Sequence, residues 1–197
     1  MAFEYAVALT GSIATGKSTV AKILSDEGFH LIDADKIAHE VLDAQHRQVA
    51  DLFGTHLVKD GRVDRKALGS VVFSDEEKRK VLESLLHPLI YDKIAQQAAA
   101  RDVLQYPYFI DIPLFFEGGR YPIEKSLLVY TPRTLQLQRL MQRDGHPEEE
   151  ALRRMALQMD IEKKCKHATY IIDNSGDLQK LQQECRKVQE EILGDFK

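Results

Sequence analysis

A phosphate-binding loop occupies residues 11–18, where the sequence reads Gly-Ser-Ile-Ala-Thr-Gly-Lys-Ser and matches G-x-x-x-x-G-K-[ST]. In such a loop, successive backbone N–H groups and a helix N-terminus bind phosphate oxygens. Lys17 is expected to reach the outer phosphates, and the Ser18 hydroxyl is a ligand for Mg²⁺. The loop predicts that ATP or a related triphosphate binds here with Mg²⁺. The other loop positions expected at the triphosphate are Gly11, Ala14, Thr15 and Gly16.

Two aspartates at predicted strand ends are candidates for the chemistry beside this loop. Asp33 follows the second predicted strand, and Asp111 lies at the end of the third. Open α/β sheets bind ligands at this carboxyl edge. Asp33 can accept the proton of an acceptor hydroxyl, orient it or help to hold Mg²⁺; the alternative is a plain helix cap. Asp111 resembles a Walker B carboxylate, which predicts Mg²⁺ or acceptor binding, with a loop carboxylate as the alternative.

Basic residues suggest how a phosphoryl group is enclosed. Arg139 and Arg143 are four residues apart and therefore lie on one face of a predicted helix. With the basic segment after Gly145 they can close over the triphosphate and exclude water, or they can form a solvated helix face. Arg65 and His87 are candidates for acceptor binding, against surface charge and a packed histidine, respectively.

Five apolar segments predict a five-stranded parallel α/β sheet of the P-loop kinase type. A strand, a helix and a second strand follow one another from residue 5 to residue 32, which indicates a βαβ unit. The predicted strands are residues 5–10, 29–32, 108–112, 127–130 and 170–173.

Three regions are expected to have different functions: acceptor binding, lid closure and nucleotide binding. Residues 36–105 contain no convincing strand and exceed by far the dozen or so residues that a crossover needs, so a helical acceptor-binding insertion is predicted over residues 36–106. Residues 141–167 are expected to form a helical lid. The nucleotide-binding core then comprises residues 1–35, 107–140 and 168–197.

Several local signals set helix ends. We expect Asp35 and Thr131 to be N-caps, and Ser74 with Glu77 to form a capping box. Pro88 predicts a kink or break near His87. The apolar positions of the last helix, from Leu178 to Ile192, favour packing on its own sheet over a dimeric coiled coil, because they cover only about two heptads.

The composition excludes several classes of protein. The net charge of −4 over 197 residues argues against a nucleic-acid or membrane-surface protein. The two cysteines, Cys165 and Cys185, form neither a zinc motif nor a disulfide framework. The sequence enters its first strand without a targeting segment, and its longest apolar stretch is too short to span a bilayer. We expect a cytoplasmic protein.

The motifs together resemble the dephospho-CoA kinase family over nearly the whole chain. Outside the loop, the similarities include Ile32-Asp33-Ala34-Asp35, Leu86-His87-Pro88-Leu89-Ile90, Ile112-Pro113-Leu114-Phe115-Phe116-Glu117, Gln142-Arg143-Asp144 and Ile172-Asp173-Asn174. The most specific of them are Asp-Ala-Asp after the second strand, His-Pro in the helical insertion and Pro-Leu-x-x-Glu.

This resemblance implies a nucleoside-monophosphate-kinase type of fold and transfer of the ATP γ-phosphate to the ribose 3′-hydroxyl of dephospho-CoA. Asp33 matches the proposed catalytic base, Arg139 and Arg143 match lid arginines, and Asn174 falls where the family approaches adenine. The nucleotide-site matches are Lys17, Ser18 and Thr19. The implied partners are ATP and dephospho-CoA, without nucleic acid or membrane, in a monomer or weak homo-oligomer.

One departure and two rival functions remain. Ser12 and Ala14 stand where the family usually has glycine, and alanine is strained if its φ is positive. Another small-molecule kinase, acting on a nucleoside or nucleotide, fits the same loop. A GTP-dependent switch is disfavoured, because the D-x-x-G match at residues 173–176 follows the last strand and no N-K-x-D motif is present.

Overall fold

The computed structural model describes residues 2–197, which form two compact units. The first unit runs to Ile32 and resumes over Ala98–Lys197, and the second is Asp33–Gln97. In chain order, the strands of the described residues are β1 (Ala6–Gly11), β2 (Leu31–Asp33), β3 (Val58–Lys59), β4 (Arg62–Val63), β5 (Tyr108–Asp111), β6 (Lys125–Tyr130) and β7 (Tyr170–Asp173). The functional boundaries of core, insertion and lid stay predictions.

The helices of the described residues follow the same order. They are α1 (Lys17–Asp26), α2 (Ala34–Ala44), α3 (His46–Phe53), α4 (Arg65–Phe73), α5 (Glu76–Asp102), α6 (Phe115–Gly118), α7 (Arg133–Asp144), α8 (Glu148–Ala156), α9 (Ile161–Cys165) and α10 (Leu178–Asp195). A single turn of 3-10 helix, Thr55–Leu57, precedes β3. Within residues 2–197, no helix combines the length and the apolar character needed to cross a membrane.

The predicted five-stranded sheet is confirmed. Its strand order is β2-β5-β1-β6-β7, so β1 lies in the middle with β5 and β6 paired to it in parallel. A central strand of a parallel sheet is covered on both faces, and all six residues of β1 are accordingly buried. The phosphate loop therefore starts from the central, fully buried strand of the sheet.

The core of the first unit lies between the sheet, α1 and α10. Side chains of β1, β6 and β7 pack in one cluster with Leu24 of α1 and with α10. The α10 members are Leu181, Cys185, Val188 and Ile192. The apolar face of the last helix thus packs on its own sheet, as the short repeat predicted. Leu178, at the start of that helix, is exposed.

The second unit contains a hairpin that the sequence interpretation missed. β3 and β4 pair in antiparallel orientation with Val58 opposite Val63. The two-residue turn between them is Asp60-Gly61, with φ of 51° and 73°. Asp-Gly favours such a turn because both residues tolerate positive φ. The expectation that residues 36–105 lack strands was therefore wrong. The hairpin adds Val63 to a separate core with Leu42, Val49, Leu57, Leu68 and Val72.

Two expected helix N-caps differ. Asp33, not Asp35, caps α2, because its carboxylate accepts from Lys36 N at 2.8 Å. Asp75 caps α5 through Lys78 N at 3.1 Å, and the Ser74 hydroxyl instead donates to Ser70 O at the end of α4. At the start of both helices, the oxygen that accepts from a backbone amide belongs to a different residue from the expected one.

A further expected helix cap was wrong, and of the kink or break expected near His87 the break is not found. Thr131 does not cap α7, since its hydroxyl donates to carbonyl oxygens of other segments. The break near His87 is absent, because α5 runs unbroken through Pro88 for 27 residues. A proline removes one N–H from the helical ladder, and the rest of a long helix remains bonded.

The C-terminus is held to the sheet by a small polar network. Asp195 Oδ2 accepts from the Tyr170 hydroxyl at 2.6 Å and from Lys125 Nζ at 3.3 Å. Lys125 also lies 4.5 Å from the ring centroid of Phe196, which stacks on Tyr5. The hydrogen bond from Tyr170, and next that from Lys125, lowers the pKa of the Asp195 carboxyl.

This lowered pKa predicts a pH-dependent stabilisation. A carboxyl whose folded-state pKa lies below its unfolded value of about 3.9 stabilises the fold above that pH, and the contribution is lost as pH falls through the folded pKa. Asp195→Asn should therefore lower Tm near neutral pH, and the difference from the unmodified protein should shrink at about pH 3. Thermal unfolding at both pH values measures this; an equal difference at both would contradict it.

Candidate active site

The phosphate loop connects the carboxyl end of β1 to the first turn of α1. Gly16 has φ of 84°, and a Cβ there would lie 2.2 Å from Asn174 Nδ2, so glycine is required for conformation and for space. The first backbone hydrogen bond of the helix joins Thr19 N to Gly16 O at 3.0 Å. The amides of Lys17 and Ser18 precede it, and such amides have no partner within a helix. They form a site for an anion.

A cavity of about 420 Å³ opens over this loop. Its lining joins the loop to three other segments of the first unit: Pro113 after β5, Arg139 and Arg143 of α7, and Gln158 between α8 and α9. Loop residues in the lining are Gly11, Ser12, Ile13, Ala14, Gly16, Lys17 and Ser18. The structure thus brings both predicted arginines to the wall that holds the predicted phosphate-binding lysine and serine.

Lys17 and Asp111 form an ion pair beside the cavity. Lys17 Nζ donates to Asp111 Oδ1, and both side chains are largely buried. The carboxylate predicted as a Mg²⁺ ligand therefore balances the lysine charge. Over residues 2–197, no group of three or more His, Cys, Asp or Glu side chains is arranged to hold a metal ion.

The two arginines have different partners. Arg139 Nη1 donates to Thr131 Oγ1 at 3.3 Å. Arg143 makes a two-pronged contact with Asp144, with Nε–Oδ1 of 2.7 Å and Nη2–Oδ2 of 3.1 Å, and this hydrogen bonding lowers the pKa of the Asp144 carboxyl. The exposed Arg143 contact is one that a phosphate can replace, since guanidinium binds carboxylate and phosphate with the same geometry.

Three predicted acceptor residues belong to the second unit. Asp33, its first residue, ends β2 and uses Oδ1 to cap α2. Arg65 is the first residue of α4, and His87 lies within α5. None of them lines the cavity over the loop. Their roles toward an acceptor stay predictions.

Side chains that are remote in sequence form hydrogen bonds with the backbone of the phosphate loop. Asn174 Nδ2 and Thr131 Oγ1 both donate to Thr15 O, at 2.8 Å and 3.1 Å. Asn174, predicted near adenine, thus supports the loop backbone here. Gln158 Oε1 accepts from Ile13 N at 2.8 Å.

The sequence did not predict the contact of Lys164 with the first glycine of the loop. Lys164 is fully buried, and its Nζ donates to Gly11 O at 2.8 Å and contacts Glu117 Oε1 at 2.9 Å. In the sequence it looks like one more charge of the basic segment. The available signal is its position three residues after the buried Ile161, which places both on one face of α9.

Known proteins resemble this chain over its whole length. The family model described as "Dephospho-CoA kinase" matches residues 5–180. The chain belongs to this family. The dephospho-CoA kinase of Sulfurimonas denitrificans is 53% identical over 196 residues, covering 100% of this chain and 98% of the relative.

Solved structures agree. A dephospho-CoA kinase from Campylobacter jejuni superimposes with a TM-score of 0.72 at 40% identity, covering 96% of this chain and 98% of its own. The protein TT1252 from Thermus thermophilus gives 0.77 at 34% identity over 94% and 96%. The P-loop kinase fold expected from the sequence is confirmed.

Ala14 is a strained backbone position in the phosphate loop of this dephospho-CoA kinase family member. Ala14 has φ of 61°, in the left-handed region. Its side chain and that of Ile13 pack on a cluster of Leu140, Ala151 and Met155 from α7 and α8. Packing against these helices holds a residue in a conformation that it disfavours by roughly 1–2 kcal/mol.

Ala14→Gly should therefore stabilise the protein. Relief of the left-handed strain outweighs the extra freedom of an unfolded glycine, about 0.5–1 kcal/mol, so the free energy of unfolding should rise by roughly 0.5 kcal/mol. Urea denaturation measures it. The matched control is Ala99→Gly at an exposed position in the last turn of α5, which should destabilise by up to about 1 kcal/mol. Destabilisation by both variants would contradict the assignment of strain.

Proposed function

We propose that this protein transfers the γ-phosphate of ATP to the 3′-hydroxyl of dephospho-CoA, giving ADP and coenzyme A. The observation that carries the proposal is the cavity lined jointly by the phosphate loop and by Arg139 and Arg143. Family membership over residues 5–180 supports the choice of acceptor. We further propose a cytoplasmic enzyme that is a monomer or a weak homo-oligomer.

The loop holds the donor. Backbone amides at the start of α1 receive phosphate oxygens, and Thr19 follows them in the same turn. Lys17 exchanges the Asp111 carboxylate for the outer phosphates, where its charge offsets the charge developing on the transferred group. The ion pair with Asp111 keeps the lysine in place before ATP binds.

Mg²⁺ fits the oxygen donors at this edge of the sheet. It is typically bound by one or two protein carboxylates and by substrate phosphates, so a dedicated cluster of protein ligands is not needed. Ser18 and Asp111 are the proposed ligands in the first unit, and Asp33 is the third candidate. When bound, the ion neutralises charge on the β- and γ-phosphates.

Asp33 is the proposed partner of the acceptor hydroxyl. It ends β2, a strand of the same sheet, and the carboxyl edge of such sheets is where ligands bind. One carboxylate oxygen caps α2, which fixes the side chain and leaves Oδ2 to accept or orient the hydroxyl proton. Arg65 and His87 are proposed to anchor the rest of the acceptor, whose diphosphate calls for positive charge.

Arg139 and Arg143 are proposed to complete the site with the lid, residues 141–167. Arg143 exchanges Asp144 for a phosphate oxygen, and Arg139 adds a second positive charge from the same helix face. Excluding water matters, because water would otherwise compete with the acceptor hydroxyl for the phosphoryl group.

An acceptor panel tests the proposed reaction. The purified protein is supplied with ATP and Mg²⁺ together with dephospho-CoA, or with a set of nucleosides and nucleotides, and the products are weighed by mass spectrometry. We expect a product one phosphate heavier from dephospho-CoA alone. Phosphorylation of nucleotides but not of dephospho-CoA would support the rival kinase function. Tight GTP binding with little turnover would support a nucleotide switch.

Asp33→Asn tests the role of the carboxylate. The amide can still cap α2, but it cannot take a proton, so kcat should fall by about 10²–10⁴-fold while ATP affinity is largely kept. Steady-state kinetics with dephospho-CoA and calorimetric titration with ATP measure the two quantities. Asp35→Asn, two residues along in the first turn of α2, is the matched control. Near-normal turnover of Asp33→Asn would remove this residue from the chemistry.

A further inference from the structure

Lys164 is the one lysine among the fully buried side chains of the described residues. Taking an ammonium group out of water costs several kcal/mol unless it is paired and hydrogen-bonded. Here both requirements are met by Gly11 O at 2.8 Å and Glu117 Oε1 at 2.9 Å. The lysine thus joins the first residue of the phosphate loop to α6 from its own place in α9.

Glu117 binds two groups with the same oxygen. Its Oε1 contacts Lys164 and also accepts from Met159 N at 2.9 Å, just before α9 begins. The neighbouring Gln158 accepts from Ile13 N. Residues 158–164 therefore contact the loop at Gly11 and at Ile13, on either side of Ser12.

These contacts bear on phosphate binding through backbone geometry. The amides that receive phosphates lie a few residues after Gly11, and their directions depend on how the chain leaves β1. The Gly11 carbonyl cannot rotate without costing the buried ammonium one of its two partners, which is expensive in a low dielectric. The loop is thereby kept in one arrangement before nucleotide arrives.

We propose that Lys164 and Glu117 are positioning residues of the phosphate loop, which hold Gly11 so that the amides of α1 face the nucleotide phosphates. They act through the loop and do not contact the nucleotide. This rests on the proposed function only in that a nucleotide binds at the loop.

The test is ADP affinity of the full chain, measured by calorimetric titration. ADP binding does not involve the acceptor, so its outcome is independent of whether dephospho-CoA is phosphorylated. Lys164→Met combined with Glu117→Gln removes both charges with side chains of similar size and leaves no buried ion unpaired. We expect ADP affinity to fall by about tenfold or more, with kcat/KM for ATP falling in parallel and KM for dephospho-CoA nearly unchanged.

Glu117→Gln alone is the conservative variant. Its amide oxygen can still accept from Lys164 Nζ and Met159 N, but the buried ammonium loses its counter-ion, so both Tm and ADP affinity should fall. Unchanged ADP affinity in this variant would contradict the role assigned to Glu117.

Lys125→Met is the matched control. It also removes a lysine paired with a carboxylate, that of Asp195, but at the amino end of β6, away from the loop. It should lower Tm without changing ADP affinity. If the double variant is folded by circular dichroism and binds ADP within about threefold of the unmodified protein, the two residues only stabilise the fold and the proposal is wrong.

Discussion

A phosphate loop has to leave its backbone amides available to a ligand, and this constraint shapes most of the first unit. A segment that cannot use its own hydrogen bonds for stability has to be held by groups from elsewhere. Here Lys164 holds Gly11 O, Gln158 holds Ile13 N, and Asn174 holds Thr15 O. All three are remote from the loop in sequence, and together they keep its backbone in shape.

The same constraint explains why the loop tolerates residues that are not ideal for its conformation. Ala14 has a positive φ, yet its methyl group packs with Ile13 on Leu140, Ala151 and Met155. The helix that carries Arg139 and Arg143, α7, is thus packed together with α8 against the loop, next to the nucleotide phosphates that those arginines are proposed to bind. The packing of these two helices on the loop therefore supports both the loop conformation and the position of the two arginines. A change in α7 or α8 should alter the loop as well as the cavity wall.

Local sequence signals were reliable where the period of the pattern and the neighbouring residues decide the structure. The five strands and α10 were recognisable because buried strands form continuous apolar runs and a surface helix repeats at three and four residues. Errors came where two adjacent polar residues competed for one cap, as Ser74 and Asp75 did, and where Asp60-Gly61 forms a hairpin turn in a stretch expected to lack strands.

The sequence by itself determined that a phosphate loop follows a buried strand and precedes a helix, because that motif is contiguous and its backbone geometry is local. Only the tertiary structure decided what surrounds the loop. Lys164 and Gly11 are 153 residues apart, and Lys17 and Asp111 are 94 apart, so no local pattern records either pair. A lysine in a basic run is predicted to be a surface charge, and only the fold shows that it is buried. A buried ammonium is stable only when it is paired and hydrogen-bonded, so burial fixes its partners.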